Sequence, residues 1–579
     1  MKLAEALRIV QQPTTADAEQ TSVYLACGFM PLHLITFLEA NLRQLLPHKA
    51  AKIETGIYGD LSGNLDRLNK GDASDLVVVF EWSDFDPRLG LRSLGGWGPE
   101  SLPDIVSDVR SSTARFLELI QLAAKSRVVV VSLPTLPLPP ISYQANEQAS
   151  IWQLQVWDMI GGLAVELAGI ANVRVLNRQQ LDKASPLSER LDVKSDFTSG
   201  FPYSLKHAST LAQMLATLVR LPQPKKGLIT DLDDTLWRGL VGEDGVEGIS
   251  WGLDQQSQSN ALYQQTLAAL AASGALVGVA SKNDHALVMS ALGRDDLIIR
   301  RDDLFPIEVS WQPKSESVRR ILAVWNVNAD SIVFVDDSPH EVAEVKAAFP
   351  TMECLVFPAG DDQAAYEFLE KLRNLFAKDA MSAEDAIRQE SIRRSSELHD
   401  AARHSAYSHD EFLQNLEAEI TLTLTNEIVD ARALELINKT NQFNLNGRRL
   451  TSAEFQTMLL RPNAFLLVTS YKDKYGPLGR IAVMLGTQNE QQVDVDVWVM
   501  SCRAFSRRIE HKILEYLFDK FGVSEINFAF ESTERNSPLQ EFFHSVAGQV
   551  PQQEFRIDRE TFFSNKPALQ QRVKELAYA

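Results

Sequence analysis

Two aspartates near residue 230 are the residues best suited to chemistry in this chain. The apolar run 228–230 leads into Asp231 and Asp233, and Thr235 follows two positions later. Alternate side chains of an extended segment point the same way, so both carboxylates can face one site. One carboxylate can attack phosphorus while the other transfers the leaving-group proton. A solvated turn after a buried strand would give the same short pattern, so other segments of the chain are needed to distinguish a catalytic pair from such a turn.

Three further segments carry polar residues in comparable positions. Ser281 ends an apolar run, Lys314 begins an amphipathic helix, and Asp336 and Asp337 end another apolar run. Each alone has an ordinary structural explanation, namely an N-cap serine, a surface lysine or an acidic loop. Ligands of a parallel α/β sheet bind at the carboxyl ends of the strands, where these residues fall. The ordered set therefore predicts one phosphoryl-transfer site.

The four segments resemble, in order, the four motifs of the haloacid dehalogenase-like (HAD) phosphotransferase superfamily. Longer phrases around them resemble FkbH-like proteins, which belong to subfamily IIIC of that superfamily. These phrases are residues 233–245, 281–283, 311–314, 336–339, 440–445 and 500–503. The resemblance covers about residues 225–545 and implies a phosphatase-like core.

The resemblance implies a role for each motif residue. Asp231 would be the nucleophile that forms an aspartyl-phosphate, and Asp233 would protonate the leaving group and then activate water. Ser281 would hydrogen-bond the phosphoryl group, and Lys314 would offset the charge on Asp231 and the phosphate. Three further residues are expected to contact the substrate: Thr235, Lys282 and Asn283.

A magnesium ion is expected at this site. Two carboxylates and a dianionic phosphate repel one another unless a cation lies among them, and hard oxygen ligands suit Mg²⁺. The expected ligands are the Asp231 carboxylate, the Asp233 main-chain carbonyl and Asp337. Asp336 could replace Asp337, because an adjacent pair leaves the register open.

The FkbH-like resemblance also implies a group transfer. In several polyketide pathways such proteins pass a glyceryl unit from an acyl phosphate such as 1,3-bisphosphoglycerate to an acyl carrier protein. In the glyceryl-transferring members a cysteine precedes the motif-II serine, whereas this chain has Ala280 there. A covalent glyceryl-enzyme at that position is therefore impossible, which places the transfer half of the reaction in question.

Cys502 is the remaining candidate acyl acceptor. It lies in a local run with Arg503, Arg507 and Arg508, whose charges could activate a thiol or dock an acidic carrier protein. The alternatives are a small residue on a buried strand for Cys502 and a basic helix start exposed to water for the arginines.

Two enzymatic functions therefore remain open. The first is an FkbH-like enzyme that removes phosphate from an acyl phosphate and passes the acyl unit to a carrier protein in secondary metabolism. The second is a HAD phosphatase of a small sugar or polyol phosphate in surface-glycan or secondary metabolism, which Ala280 favours. The intact acidic and basic motif residues argue against a non-catalytic scaffold.

The alternation of strands and helices predicts a multidomain α/β chain. Residues 1–220 resemble an SGNH-type α/β domain, 221–377 a Rossmann-like HAD core, 378–418 a helical connector, and 419–579 a GNAT-like α+β acyltransferase domain. The first strand of the leading domain ends at Cys27 without the serine nucleophile of the SGNH fold. We therefore predict that this domain is non-hydrolytic.

The composition favours a cytoplasmic enzyme. The 579 residues carry a net charge of −19, which argues against general nucleic-acid binding. Three cysteines without paired or metal-like spacing indicate a reducing compartment. No apolar run is long enough for a transmembrane helix, and the start lacks a signal-peptide pattern, so we expect no membrane association.

Overall fold

The structure, a computed structural model, forms two compact units, Met1–Pro222 and Gln223–Ala579. It describes residues 1–13, 19–46, 49–68, 75–92, 97–141, 147–378, 392, 413–414, 416–426, 431–440, 442–474, 476–489, 491–501, 504–505, 507–533, 536–548 and 555–577. The connector predicted over residues 378–418 lies almost entirely outside these ranges.

The first unit contains a five-stranded parallel sheet. Its strands are β1 (Glu19–Cys27), β2 (Lys49–Thr55), β3 (Asp75–Val79), β4 (Val129–Ser132) and β5 (Val173–Val175). Its helices are α1 (Leu3–Gln11), α2 (Leu32–Leu45), α3 (Leu61–Leu68), α4 (Trp82–Phe85), α5 (Leu102–Ala124), α6 (Ile151–Ala168), α7 (Arg178–Ala184), α8 (Val193–Ser199) and α9 (Leu205–Val219). The strand order β2-β1-β3-β4-β5 is that of a doubly wound α/β sheet.

Four of these five strands follow from the apolar runs in the sequence. The inner strands β3 and β4 are almost wholly buried, as expected for a parallel sheet that is covered on both faces. Strand β2 was not predicted, because it has two lysines and a glutamate instead of an apolar run. Because β2 is an edge strand, charged side chains are favourable there and discourage pairing with another chain.

The second unit begins with another five-stranded parallel sheet. Its strands are β6 (Gly227–Thr230), β7 (Leu276–Ser281), β8 (Ile307–Val309), β9 (Ile332–Asp336) and β10 (Glu353–Val356). Its helices are α10 (Val241–Asp244), α11 (Gln258–Ala272), α12 (His285–Ala291), α13 (Lys314–Trp325), α14 (Pro339–Ala348) and α15 (Asp362–Leu375). The order β10-β9-β6-β7-β8 places β6 in the centre, between β9 and β7.

The C-terminal part of the second unit is built on a mixed sheet. Its strands are β11 (Glu419–Thr425), β12 (Phe443–Asn444), β13 (Ala464–Asp473), β14 (Gly476–Gln488), β15 (Gln492–Met500), β16 (Glu525–Phe528), β17 (Phe555–Asp558) and β18 (Arg572–Ala577). Its helices are α16 (Ala431–Lys439), α17 (Ser452–Leu459), α18 (Ile509–Phe521), α19 (Ser537–Ala547) and α20 (Arg559–Asn565). Strand pairs β11/β18 and β15/β16 are parallel, and the other pairs are antiparallel.

The predicted multidomain α/β fold with a Rossmann-like core is confirmed. Apolar runs at residues 420–424, 464–470, 479–485 and 493–500 predict the long C-terminal strands β11, β13, β14 and β15, whereas the short or terminal strands β12, β16, β17 and β18 were not predicted. The SGNH-like and GNAT-like assignments and the domain boundaries stay predictions. Among the described helices, none combines the length and apolarity that crossing a membrane requires.

Candidate active site

The motif residues meet at one edge of the five-stranded parallel sheet of the second unit. Asp231 directly follows β6, while Ser281 and Asp336 are the last residues of the two strands beside it. Lys314 is the first residue of α13, the helix that follows β8. Because all these strands are parallel, their carboxyl ends lie at the same edge, as the sequence predicted.

Lys314 lies between two buried carboxylates. Its Nζ is 2.9 Å from Asp231 Oδ1, and it also donates a hydrogen bond to Asp336. Burial raises the pKa of Asp231, and the Lys314 ammonium opposes that rise. Burial alone would lower the pKa of Lys314, but the carboxylates of Asp231 and Asp336 raise it above its usual value. The lysine is therefore charged and holds the predicted nucleophile in place.

Thr235 orients the second carboxylate of the acidic pair. The Asp337 main-chain N–H donates to Thr235 Oγ1 over 3.0 Å, and this hydroxyl lies 3.4 Å from Asp337 Oδ1. Asp337 is half-buried, and burial together with Asp336 raises the pKa of its carboxyl. The sequence analysis expected Thr235 to contact the substrate. The structure differs, because the Thr235 side chain is fully buried and engaged with Asp337.

These carboxylates fit a divalent cation. Oxygens of Asp231, Asp336 and Asp337 lie within 4.8 Å of one another. Asp231 Oδ1 is buried and, although Lys314 lies at ion-pair distance, it accepts no well-directed hydrogen bond from a described residue. Three carboxylates face one ammonium, so the cluster has an excess of negative charge. Hard oxygen ligands in this number suit Mg²⁺.

The two members of the acidic pair are not equivalent. Asp336 is fully buried and accepts hydrogen bonds from Lys314 and, at 3.0 Å, from the main-chain N–H of Ser338. Asp337 has solvent access on the same edge. The structure thus brings both predicted ligands to the cluster but leaves Asp337 with the more accessible carboxylate.

Asp233 is held by three hydrogen-bond donors. Trp237 Nε1 donates to Asp233 Oδ1 over 2.8 Å, the Val241 main-chain N–H donates to the same oxygen over 3.1 Å, and Asn283 Nδ2 donates to Oδ2 over 2.8 Å. Burial raises the pKa of Asp233, and the three donors oppose the rise. The side chain is thereby turned towards its donors, and the predicted role of its main-chain carbonyl as a metal ligand stays a prediction.

The loop that follows β7 carries Lys282, a predicted substrate contact, which lies beside the acidic residue Glu341. Ser281 is almost fully buried at the end of β7, and its main-chain carbonyl accepts a 3.0 Å hydrogen bond from the N–H of Ser310. Lys282 Nζ forms a 2.8 Å ion pair with Glu341 Oε1 on α14. This lysine, predicted to bind substrate, is therefore tied to a neighbouring helix, although part of it stays exposed.

The predicted docking group of the C-terminal domain is only partly described. Cys502 and Arg503 lie outside the described residues. Arg507 is buried, with Nε 3.7 Å from Asp473 Oδ2, and its guanidinium lies 5.6 Å from the centroid of the Tyr471 ring. The Arg507 charge thus faces an internal carboxylate, and its role in docking a carrier protein stays a prediction. Arg508 donates to the main-chain carbonyl of Ala568 over 3.0 Å.

Three contacts of the site were not recognised from the sequence. They are the Trp237 indole, the Val241 amide and the Glu341 carboxylate. The phrase around residue 237 was noted only for its resemblance to FkbH-like proteins. The spacing of four residues between Asp233 and Trp237 was the available signal, but a short spacing alone does not establish a hydrogen bond.

Comparisons with known proteins support the fold of the core. Neither the family models nor the curated proteins give a match to this chain. A solved structure of the N-terminal part of the protein BF1531 from Bacteroides fragilis, which contains a phosphatase domain and is complexed with Mg, matches with a TM-score of 0.51 and 19% identity. It covers 66% of this chain and 100% of the Bacteroides chain.

A second solved structure, the salicylyl-acyltransferase SsfX3 from a tetracycline biosynthetic pathway, gives a TM-score of 0.24 at 15% identity. It covers 36% of this chain and 58% of that protein, and no conclusion follows from so low a score. The likeness to the Bacteroides fragment is informative at the level of fold. Two thirds of the chain shares the fold of a protein that contains a phosphatase domain.

Proposed function

We propose that this protein is a Mg²⁺-dependent phosphatase or phosphotransferase that forms an aspartyl-phosphate on Asp231. The observation that carries the proposal is the surroundings of this carboxylate. Asp231 is buried at the end of the central strand, is paired with Lys314, and has an oxygen without a well-directed hydrogen bond beside Asp336 and Asp337. A buried group in such surroundings is more typical of a reactive site than of a structural one.

The proposed reaction has two steps. In the first, an Asp231 oxygen attacks phosphorus, the bond from phosphorus to the leaving group breaks, and Asp233 gives its proton to the departing oxygen. In the second, Asp233 takes a proton from water, the hydroxyl attacks phosphorus, and the aspartyl–phosphorus bond breaks to release inorganic phosphate. Lys314 offsets the charge on Asp231, and Ser281, the last residue of β7, would hydrogen-bond the phosphoryl oxygens.

Asp231, Asp337 and the Asp233 carbonyl are the proposed ligands of Mg²⁺, with Asp336 as a further carboxylate in reach. When bound, the ion neutralises charge on the phosphoryl oxygens and on the carboxylates. The Mg-complexed phosphatase domain of the Bacteroides fragment supports this choice of ion.

We propose a small sugar or polyol phosphate as the substrate class best supported. Ala280, the residue before Ser281, is fully buried on β7, so the motif-II loop has no thiol that could accept an acyl group. Without such an acceptor, the chemistry available to the described core residues is phosphate release.

The second candidate is an acyl phosphate such as 1,3-bisphosphoglycerate, with transfer of the glyceryl unit to an acyl carrier protein. The C-terminal domain favours this candidate, since phosphate release alone does not require it. Gln442 Nε2 of that domain donates to Asn328 Oδ1 of the core over 3.1 Å. In the transfer, the carrier thiol attacks the acyl carbon, the carbon–oxygen bond to phosphate breaks, and phosphate leaves.

Trapping the intermediate tests the proposal. Asp233→Asn should slow the second step, so acid-quenched protein incubated with acetyl phosphate and Mg²⁺ should gain one phosphoryl mass at Asp231. Asp231→Asn is the matched control and should gain none. Absence of the adduct together with absence of phosphate release from acetyl phosphate and from a panel of sugar phosphates would refute the proposed function.

Carrier loading separates the two substrate classes. The full-length protein is incubated with 1,3-bisphosphoglycerate, Mg²⁺ and a phosphopantetheinylated carrier protein, and the carrier is weighed by mass spectrometry. A glyceryl mass on the carrier establishes transfer. Loss of that mass in Cys502→Ala identifies the cysteine as acyl acceptor, whereas free phosphate without a loaded carrier favours the phosphatase.

A further inference from the structure

Both ends of the Asn283 side-chain amide are hydrogen-bonded inside the protein. Its Nδ2 donates to Asp233 Oδ2 over 2.8 Å, and its Oδ1 accepts a 2.9 Å hydrogen bond from the main-chain N–H of Asp284. Only 6% of the residue is exposed. The sequence predicts that Asn283 contacts the substrate, but both ends of its amide already have protein partners.

The opposite side of the Asp233 carboxylate is fixed just as firmly. The Trp237 side chain is fully buried in the hydrophobic core of this domain, so its indole N–H has a defined direction. Val241 begins α10, and its N–H points at the same carboxylate oxygen. Donors that follow β6 and a donor that follows β7 thus hold the two oxygens of the Asp233 carboxylate.

We propose that Asn283 and Trp237 are positioning residues for Asp233, and that their hydrogen bonds aim this carboxylate at the leaving-group oxygen. The inference rests on the proposed phosphatase function. It replaces a substrate contact at Asn283 by an action on the proton-transfer step. The indole and the amide act through Asp233 and touch no reacting atom.

This role has a consequence for the choice of substrate. The proton that Asp233 gives to the departing oxygen matters most when that oxygen leaves as a strongly basic alkoxide. It matters least for a nitrophenolate, which is stable as an anion. Misplacing Asp233 should therefore slow the hydrolysis of an alkyl phosphate much more than that of p-nitrophenyl phosphate.

The test compares two variants of the full-length protein on two substrates with Mg²⁺. Asn283→Leu removes the amide, and Trp237→Phe removes the indole N–H while keeping an aromatic ring. With glycerol 2-phosphate and excess enzyme, the single-turnover rate of leaving-group release, which reports the first step alone, should fall by roughly 10- to 100-fold in each variant. With p-nitrophenyl phosphate this rate should fall several-fold less, and KM should stay unchanged for both substrates.

Trp251→Phe is the matched control. Trp251 belongs to the same core cluster, but its indole donates to the main-chain carbonyl of Asp296 over 3.1 Å. Trp251→Phe should leave the ratio of the two single-turnover rates unchanged. In an Asp233→Asn background, Asn283→Leu should cause no further loss, because the group that it positions is already gone.

Three kinetic outcomes would overturn the inference. They are an equal loss of the single-turnover rate on both substrates, a raised KM with an unchanged single-turnover rate, and a full additional loss in the Asp233→Asn background. A raised KM would restore Asn283 as a substrate contact.

A second measurement does not depend on activity. The indole N–H signal of Trp237, identified by its disappearance in Trp237→Phe, should shift in Asp233→Asn and in Asn283→Leu in a ¹⁵N–¹H spectrum. If the wild type hydrolyses nothing, the proposed function fails while this signal still tests the hydrogen bonds. An unchanged signal in both variants contradicts the positioning role.

Discussion

Glu81 in the first unit and Asp231 in the second are both buried carboxylates that follow a parallel strand, yet their surroundings are opposite. Glu81 accepts hydrogen bonds from Thr135 Oγ1 at 2.6 Å, Thr135 N at 3.1 Å, Tyr203 Oη at 2.6 Å and Leu136 N at 3.2 Å. Asp231 faces one ammonium and another carboxylate, and its Oδ1 receives no well-directed hydrogen bond from a described residue.

The difference distinguishes a structural acid from the acid proposed as the nucleophile. Burial raises the pKa of both groups, so the direction of the pKa shift does not separate them. Their hydrogen-bond partners separate the two groups. A carboxylate whose oxygens are satisfied by neutral donors holds a core together, whereas a carboxylate packed against like charges is stable only with a counter-ion or a ligand.

His207 belongs to the satisfied network of the first unit. Its Nε2 lies 3.0 Å from Thr135 Oγ1, and its Nδ1 lies 3.0 Å from Ser185 Oγ. Both His207 and Ser185 are buried, so this serine–histidine contact is closed to a substrate. These contacts make His207 a structural residue of the first unit.

The largest expected effect is that of Asp231→Asn on activity. Asparagine keeps the shape but is not a nucleophilic anion, so phosphate release should fall at least roughly 10²- to 10⁴-fold. The Tm should not fall, because the substitution removes repulsion among buried carboxylates. Phosphate release and thermal unfolding are measured on the same preparation. Wild-type turnover, or loss of folding, would contradict the contrast with Glu81.

Glu81→Ala should have the opposite effect: it should lower stability and leave activity unchanged. It leaves the Thr135 and Leu136 amides and the Tyr203 hydroxyl without their acceptor, at a cost of about 1–3 kcal/mol for each unsatisfied group. The free energy of opening of β3 and β4, measured by hydrogen exchange, should fall by about 3 kcal/mol or more, while phosphate release per folded molecule is kept. Glu81→Gln keeps one oxygen acceptor and should cost less; an equal cost would argue against the network.

Mg²⁺ should stabilise the second unit through Asp231 and Asp337. An ion at 100 times its Kd stabilises the folded state by about 2.7 kcal/mol, which corresponds to a rise of several degrees in Tm. Asp231→Asn and Asp337→Asn should lose most of this rise, and EDTA should abolish both the rise and the activity. Glu81→Gln is the control and should keep the Mg²⁺-dependent rise in Tm. A rise of equal size in all variants would place the ion elsewhere.

The smallest effect near neutral pH is expected from His207. Burial, assisted by the Arg190 guanidinium, lowers its pKa from 6.5 to about 3. A lowered folded-state pKa means that stability is fully present above the unfolded-state pKa and is lost as the pH falls from 6.5 towards 3. Hydrogen exchange of β4 should show this loss between pH 7 and 4. His207→Gln should flatten the slope, and an unchanged slope would indicate other groups.

Much of the fold and of the site could be predicted from local patterns. Apolar runs predicted the central strands, because a covered parallel sheet buries both faces of each strand. The polar residues that end those runs predicted the edge at which Asp231, Ser281 and Asp336 meet. The polar edge strand β2 could not be recognised, because it lacks that apolar signal.

What the sequence by itself determined is the set of candidate catalytic groups and the sheet edge that carries them. Only the tertiary structure decided which partner each group has. Lys314 meets Asp336 across 22 residues, and Asn283 meets Asp233 across 50. Arg507 is turned inward to Asp473 although its local sequence resembles an exposed basic helix start. Hydrogen bonds and ion pairs depend on distances of a few ångströms between groups far apart in the chain, and only the packing of the sheets sets those distances.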